Sequence, residues 1–299
     1  MKTLMIATAL LSLAGLSPAQ DEEKNPFDKL KDAVTKKDAD AVKTLEPEAY
    51  KFAQGMITAA KPADAEEAKT WASRVESGKE IATYTEYALA SMAEQPGTDP
   101  AKVVGLVDLL IAQNPKSQYL DEICANVYLM ALGKAGGAAK QMDGMAKIAK
   151  GRPDNIVALS ALVEGRPGSL QNANGLLAAA RKPKPEALPE GEWEKMKNTA
   201  LANGYFYVGF ISGQKQSWLD CDKNLKAALP LISADGNKTE IAYFSLGICD
   251  YQFGKLTADR SKMMAGQQYM EKAATSKGPY QSQAYQQNNA MKTELAGRR

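Results

Sequence analysis

The chain has 299 residues, with 37 Lys and Arg against 35 Asp and Glu, and it contains no histidine. A near-neutral chain without a basic stripe interleaved with aromatics does not indicate a nucleic-acid partner. The missing histidine excludes Ser-His-acid and Cys-His catalytic arrangements and histidine-ligated zinc sites, so we predict no catalytic residues of these types, no metal site and no cofactor.

The first 19 residues have the order of a secretory signal peptide. Lys2 is followed by an apolar run over residues 4–16 and by Ser17-Pro18-Ala19. The alternative is a membrane anchor, but the run is well below the roughly 20 apolar residues that span a bilayer. We therefore predict cleavage after Ala19 and a periplasmic or secreted mature chain without a membrane span.

Three cysteines, at positions 124, 221 and 249, leave one unpaired in an exported protein. Cys221 and Cys249 fall on adjacent predicted helices and are the only pair that could form a disulfide. The interpretation we favour is that all three are small buried side chains at helix contacts.

Residues 20–80 are predicted to form an N-terminal helical region that packs on, or caps, the rest of the chain. Asn25-Pro26 is typical of a helix start, since Asn caps well and Pro suits the first helical position. A short helix follows over residues 38–45, and Pro47 separates it from another over 48–60. A fourth helix begins near Asp64, with Gly78 as a potential break.

Residues 84–212 are predicted to continue as helices. Tyr87 and Pro115 bracket the first pair, and a glycine-rich segment at 133–137 separates the two helices of the next. That segment lacks the Gly-x4-Gly-Lys-Ser/Thr frame and a preceding strand, so it indicates a helix-to-helix turn and not a phosphate loop. Further helices are predicted over residues 156–163, 170–181 and 190–212. No β-branched alternation suggests a sheet, so the fold class is all-α.

One helix-pair pattern occurs twice in succession over residues 202–285. The first copy reads Tyr205-x2-Val208-Gly209, then Cys221-x3-Leu225-x2-Ala228, and the second reads Tyr243-x2-Leu246-Gly247, then Gly266-x3-Met270-x2-Ala273. The second copy ends in Gly278-Pro279 and carries about seven extra residues around 255–264.

This order of aromatic, small and bulky residues resembles the tetratricopeptide repeat (TPR), over residues 202–285 and less completely over 84–155. The resemblance implies a right-handed superhelical array of antiparallel helix pairs over residues 81–299. Gly209 and Gly247 would let the helices of a pair approach closely. Each pair would leave an apolar face that the next pair covers.

The first helices of successive TPR pairs line a concave groove. The resemblance places these residues on it: Asn203, Phe206, Phe210, Gln214, Ile241, Phe244, Ile248, Tyr251 and Gln252. As a groove, they would offer aromatic anchors flanked by amides to a peptide. The alternative is that these aromatics pack against a C-terminal helix over residues 280–295 or a neighbouring unit.

The resulting functional hypothesis is an exported, non-enzymatic helical-repeat scaffold that binds a protein or peptide in the cell envelope. One alternative is a small-molecule or glycan binder, which a closed aromatic pocket would favour. Another is a carboxylate-based enzyme acting on an envelope polysaccharide, because glycoside chemistry needs only two carboxyl groups about 5–10 Å apart. An accessible acid pair in a cleft would favour the enzyme.

Overall fold

The structure is a computed structural model that describes residues 25–186 and 188–297. The predicted signal peptide at residues 1–19 lies outside these ranges. The described residues form twelve α-helices and no strand, which confirms the all-α prediction. None of the described helices is long and apolar enough to cross a membrane. The helices are α1 Pro26–Thr35, α2 Ala39–Ile57, α3 Ala65–Ala93, α4 Pro100–Gln113, α5 Glu122–Gly151, α6 Ile156–Gly165, α7 Leu170–Ala179, α8 Glu190–Gln214, α9 Trp218–Ile232, α10 Gly236–Thr257, α11 Arg260–Thr275 and α12 Gln281–Gly297.

The chain divides into two compact units. The first contains the described residues up to Ala135 together with Pro185–Leu188, and the second contains Gly136–Lys184 and the described residues from Pro189. The domain boundary predicted at residues 80 and 81 falls inside α3. That helix continues across it because Gly78, Ile81 and Thr85 are all buried on one face.

Side-chain caps begin most helices of the first unit where the sequence predicts them. Asn25, Asp38 and Asp64 each accept a hydrogen bond from a backbone N–H in the first turn of α1, α2 and α3. These bonds satisfy donors that have no partner inside the helix, so they locate each helix start.

Two predicted breaks in the first unit are wrong. α2 runs through Pro47, which lies on its exposed face, so water can solvate the Lys43 carbonyl that loses its helical partner. α3 runs through Gly78, where an added Cβ would lie 2.9 Å from Met56 Cβ. Gly78 therefore allows α2 and α3 to approach closely and does not end a helix.

The glycine-rich segment contains a single kink where the sequence predicts a helix-to-helix turn. Gly137 has φ 72° and ψ −170° and interrupts α5. Glycine reaches this left-handed region without the steric cost that a Cβ would impose. The division between the two units falls next to this residue, between Ala135 and Gly136.

The second unit is built from consecutive helix pairs. α6 packs on α7, α8 on α9 and α10 on α11, while α8 also contacts both α6 and α10. A Cβ at Gly213 near the end of α8 would touch Cys221 at the start of α9, whereas Gly209 meets Leu225 further along. α8 and α9 are therefore antiparallel. The first helices α6, α8 and α10 lie side by side in one layer.

A polar triad joins the three first helices. Asn203 Nδ2 on α8 donates to Glu164 Oε1 on α6 at 2.9 Å. Lys238 Nζ on α10 donates to Asn203 Oδ1 at 2.8 Å and to Glu164 Oε1 at 3.2 Å. The triad therefore links one residue from each of the three first helices.

The two repeated pairs use equivalent contacts. A Cβ at Gly209 would lie 2.8 Å from Leu225 N, and one at Gly247 would lie 3.0 Å from Met270 N. Leu225 and Met270 occupy the same place in the repeated pattern, so the extra residues around 255–264 do not disturb the pairing. These contacts fit a helical repeat.

The glycine contact is testable on one helix. Gly209→Ala should destabilise the protein by about 1–3 kcal/mol, because the methyl group would meet the α9 backbone. Gly191→Ala on the same helix is the matched control, since an added Cβ there meets nothing within 4 Å. It should leave stability unchanged or raise it by less than about 1 kcal/mol. Urea unfolding followed by circular dichroism measures both, and equal effects would contradict the close approach.

Candidate binding groove

The layer of first helices carries a pocket between α8 and α10. Its volume is about 200 Å³. We call it the α8–α10 pocket, and its lining residues are Phe210, Gly213, Gln214, Phe244, Ser245, Ile248, Cys249 and Tyr280. Four of the residues assigned to the groove by the TPR resemblance line it: Phe210, Gln214, Phe244 and Ile248.

Aromatic stacking forms two walls of the pocket. Phe210 stacks on the buried ring of Phe206 with centroids 6.1 Å apart and an interplanar angle of 6°. Phe244 stacks on Tyr280 at 4.7 Å and 14°. Offset-stacked rings of this kind hold each other in one orientation, so the walls are preformed.

Glu240 positions the Tyr280 wall. This carboxyl is fully buried on α10, and its Oε1 accepts a hydrogen bond from Tyr280 N at 2.9 Å. Gly278 lies against it, since an added Cβ there would be 2.7 Å from Glu240 Cδ. Burial raises the pKa of Glu240. The loop before α12 is therefore fixed by a residue that does not line the pocket.

One cysteine of a disulfide, Cys249, lines the pocket. Cys221 of α9 and Cys249 of α10 are bonded, with Cα atoms 6.2 Å apart, which corrects our expectation that they are separate buried thiols. A Cβ at Gly213 would lie 3.2 Å from both sulfurs, so the absent side chain leaves room for the bond. Cys124 is the free, buried cysteine, and burial raises the pKa of its thiol.

The other predicted groove residues lie outside the pocket. Asn203, Phe206 and Tyr251 are each only 3% exposed. Asn203 belongs to the polar triad, and Tyr251 Oη donates to Glu294 Oε2 on α12 at 2.9 Å. Ile241 is half-buried and Gln252 is exposed. Phe244 and Tyr251 share a cluster with residues of α12, as the packing alternative expected. Any binding role stays a prediction.

Two lysines and two aspartates form an ionic cluster that the sequence analysis did not predict. Lys262 Nζ of α11 lies 2.7 Å from Asp222 Oδ2 of α9 and 3.1 Å from Asp250 Oδ1 of α10. Lys226 pairs with both aspartates as well. Two lysines thus balance two carboxylates and join three helices.

The pKa values of the two aspartates move in opposite directions. Burial raises the pKa of Asp250, which is 0% exposed. Burial also raises the pKa of Asp222, but the hydrogen bonds of Asp222 with Asp250, Lys226 and Lys262 have the larger effect. The pKa of Asp222 is therefore lowered. The pair lies inside a helix interface and not in a cleft.

One feature of the sequence connects the disulfide with the ionic cluster. Cys-Asp occurs at 221–222 and again at 249–250. A disulfide between the two cysteines brings the following aspartates together. Among the described residues, no group of three or more His, Cys, Asp or Glu side chains is arranged to hold a metal ion.

Comparisons with protein-family models, curated proteins and solved structures find no match for this chain.

The disulfide predicts a defined thiol count and a loss of stability on reduction. The denatured chain should contain one free thiol before reduction and three afterwards, by titration with a thiol reagent. Reduction, or the double change Cys221→Ala and Cys249→Ala, should lower the free energy of unfolding by about 3 kcal/mol, since the bond closes a loop of 28 residues. The double variant is the control, because reductant should not affect it. Three thiols without reductant would contradict the bond.

The ionic cluster predicts that replacing Lys262 destabilises the protein more than replacing a lysine from a surface ion pair. Lys262→Met should destabilise the protein by about 1–3 kcal/mol, because it removes a partner from buried Asp250. Lys292→Met is the control. Its ion pair with Glu271 is 50% exposed on both sides, so the change should cost clearly less than Lys262→Met. Urea unfolding compares them, and a loss no larger for Lys262→Met would contradict a structural role for the cluster.

Proposed function

We propose that this chain is an exported, non-enzymatic helical-repeat scaffold that binds a protein or peptide in the cell envelope through the α8–α10 pocket. The observation that carries the proposal is the pocket itself. Neighbouring first helices place Phe210, Phe244 and Ile248 around one cavity, with Tyr280 closing a side.

The size of the pocket favours a side chain over a whole small molecule. Its volume of about 200 Å³ is below the roughly 300–1,000 Å³ typical of small-molecule sites. A single bulky apolar side chain anchored in an aromatic pocket is the usual centre of a peptide interface. The ligand is therefore a peptide segment with one such anchor.

Amides occur at equivalent places in the two repeats, with Gln214 at the pocket and Gln252 one helical turn after the pocket residue Ile248. Gln214 and Gln252 are both exposed. A glutamine side chain can both donate and accept hydrogen bonds, which matches the alternating donors and acceptors of a peptide backbone. Their recurrence gives an extended peptide two polar contacts, one from each repeat.

The compartment and the array geometry belong to the same proposal. A disulfide is typical of oxidising compartments, and it supports an exported chain that is periplasmic or secreted after cleavage at Ala19. The equivalent Gly209 and Gly247 contacts support a helical repeat. A right-handed superhelical array is what the resemblance to the TPR implies, and it is part of the proposal. The Asp222 and Asp250 carboxylates add no support to the enzyme alternative, since both are buried in ion pairs.

Site-specific photo-crosslinking tests the proposal. The photoreactive residue benzoylphenylalanine replaces Gln214 at the pocket or Met264, which is 48% exposed on α11 and serves as the control position. After irradiation in envelope extract, the Gln214 position should give a discrete protein adduct that the Met264 position does not give.

A pocket variant completes the test. Phe210→Ala with Ile248→Ala should reduce the adduct at least about tenfold, because it removes two pocket side chains that contact the anchor of the peptide, at a cost of more than about 1.4 kcal/mol of binding. The matched control is Leu219→Ala with Leu256→Ala, two residues 60% and 74% exposed. Circular dichroism and thermal melting are used to check that both variants fold. Equal adducts from both, or none at Gln214, would contradict binding in the pocket.

A further inference from the structure

The outer half of the hairpin formed by α2 and α3 has no buried core of its own. Residues 54–77 are all described, and none of them is buried. The two helices are joined there by contacts such as the hydrogen bond that Trp71 Nε1 donates to the Ala59 carbonyl oxygen at 2.7 Å. Helices in proteins owe most of their stability to the packing of an apolar face. This part of the hairpin therefore has an apolar face that a further surface can cover.

An open apolar groove runs along this part of the hairpin. Its volume is about 520 Å³, and we call it the α2–α3 groove. Its lining residues are Glu48, Lys51, Phe52, Gly55, Met56 and Ala59 of α2 and Arg74 of α3. The four apolar residues have the spacing i, i+3, i+4 and i+7, so they form one stripe on α2. The ring of Phe52 on this stripe is 38% exposed.

Gly55 makes a hollow in the stripe. A glycine inside a helix destabilises it by about 1 kcal/mol relative to alanine. Packing within the described chain does not require this glycine, since an added Cβ would meet no atom within 4 Å. The hollow lies three residues from the exposed ring of Phe52. A large and a small residue side by side on one stripe are complementary in shape to the same stripe running in the opposite direction.

Charges of opposite sign lie at the two ends of the groove. Glu48 lies at one end, four residues before Phe52. Arg74 lies towards the other end, three residues after Trp71, which contacts Ala59. Both side chains are exposed, and neither forms an ion pair with another described residue. The charges of the groove therefore also complement a second, antiparallel copy.

We propose that the α2–α3 groove pairs with the same groove of a second copy of this chain, in a two-fold dimer with antiparallel α2 helices. The two-fold axis passes between positions 52 and 55, so Phe52 of each copy fills the hollow at Gly55 of the other. The same register places Glu48 opposite Ala59 of the other copy, beside Arg74. Each contact occurs twice, as an isologous interface requires. The proposal does not depend on the peptide-binding function, since every group in it lies in the first unit.

Charge reversal with mixing tests the pairing. By sedimentation velocity, the full chain should form a dimer between about 1 and 100 µM. Glu48→Arg and Arg74→Glu should each raise the dimer Kd at least about tenfold, because like charges then face each other. An equimolar mixture of the two variants should dimerise as the parent does, since each reversed charge meets its opposite in the other variant.

Glu80→Arg is the matched control for these reversals. Glu80 is exposed on α3 and does not line the groove, so the change should leave the dimer Kd within about twofold of the parent value. Circular dichroism is used to check that the three variants fold. A parent that sediments as a monomer at every concentration would overturn the proposal, as would a mixture no more dimeric than either variant alone.

Gly55→Gln separates association from folding. Glutamine forms helices better than glycine, so the midpoint of urea unfolding of the monomer should stay equal or rise. The new side chain occupies the hollow that Phe52 of the other copy would fill, so the dimer Kd should rise at least about tenfold. A Gly55→Gln variant that dimerises as the parent does would overturn the proposed register.

Discussion

The second unit depends on the close approach of two helices within each pair, and two glycines make that approach possible. Gly209 and Gly247 lie against the backbone of Leu225 and Met270 at a distance that leaves no room for a side chain. Close packing buries the apolar faces of both helices, and the uncovered edge of each pair is then covered by the next. The side-by-side layer of α6, α8 and α10 follows from this arrangement, and with it the α8–α10 pocket.

The α8–α9 pair and the α10–α11 pair are joined by a disulfide and by ion pairs of the residues that follow its two cysteines. Cys221 and Cys249 link α9 to α10, and the aspartates that follow them share two lysines with α11. Buried ion pairs contribute little to stability on balance, since desolvation offsets most of the attraction. Their effect here is geometric, because both carboxylates require the same arrangement of three helices. The same three helices carry the disulfide, and its Cys249 lines the pocket.

Two buried glutamates show how local partners decide what a carboxyl can do. Glu240 accepts a backbone hydrogen bond from Tyr280, so it can hold the loop that carries a pocket wall. Glu46 has Gln113 and Thr85 as its polar neighbours, and its Oε1 is buried without a hydrogen-bond partner. Burial raises the pKa of both groups.

The sequence by itself determined the all-α class, the helix starts at Asn25, Asp38 and Asp64, and the pairing of Gly209 and Gly247 with the second helices. These features depend on short-range capping and on periodicity within one or two helices. It could not determine that α2 continues through Pro47 or that Cys221 bonds to Cys249. Nor could it show that Phe206 and Tyr251 are buried while Phe210 lines a pocket. Periodicity identifies the apolar face of a helix but not the neighbour that covers it. Only the tertiary structure decided which aromatics stay accessible, because that depends on where α12 and the adjacent pair lie.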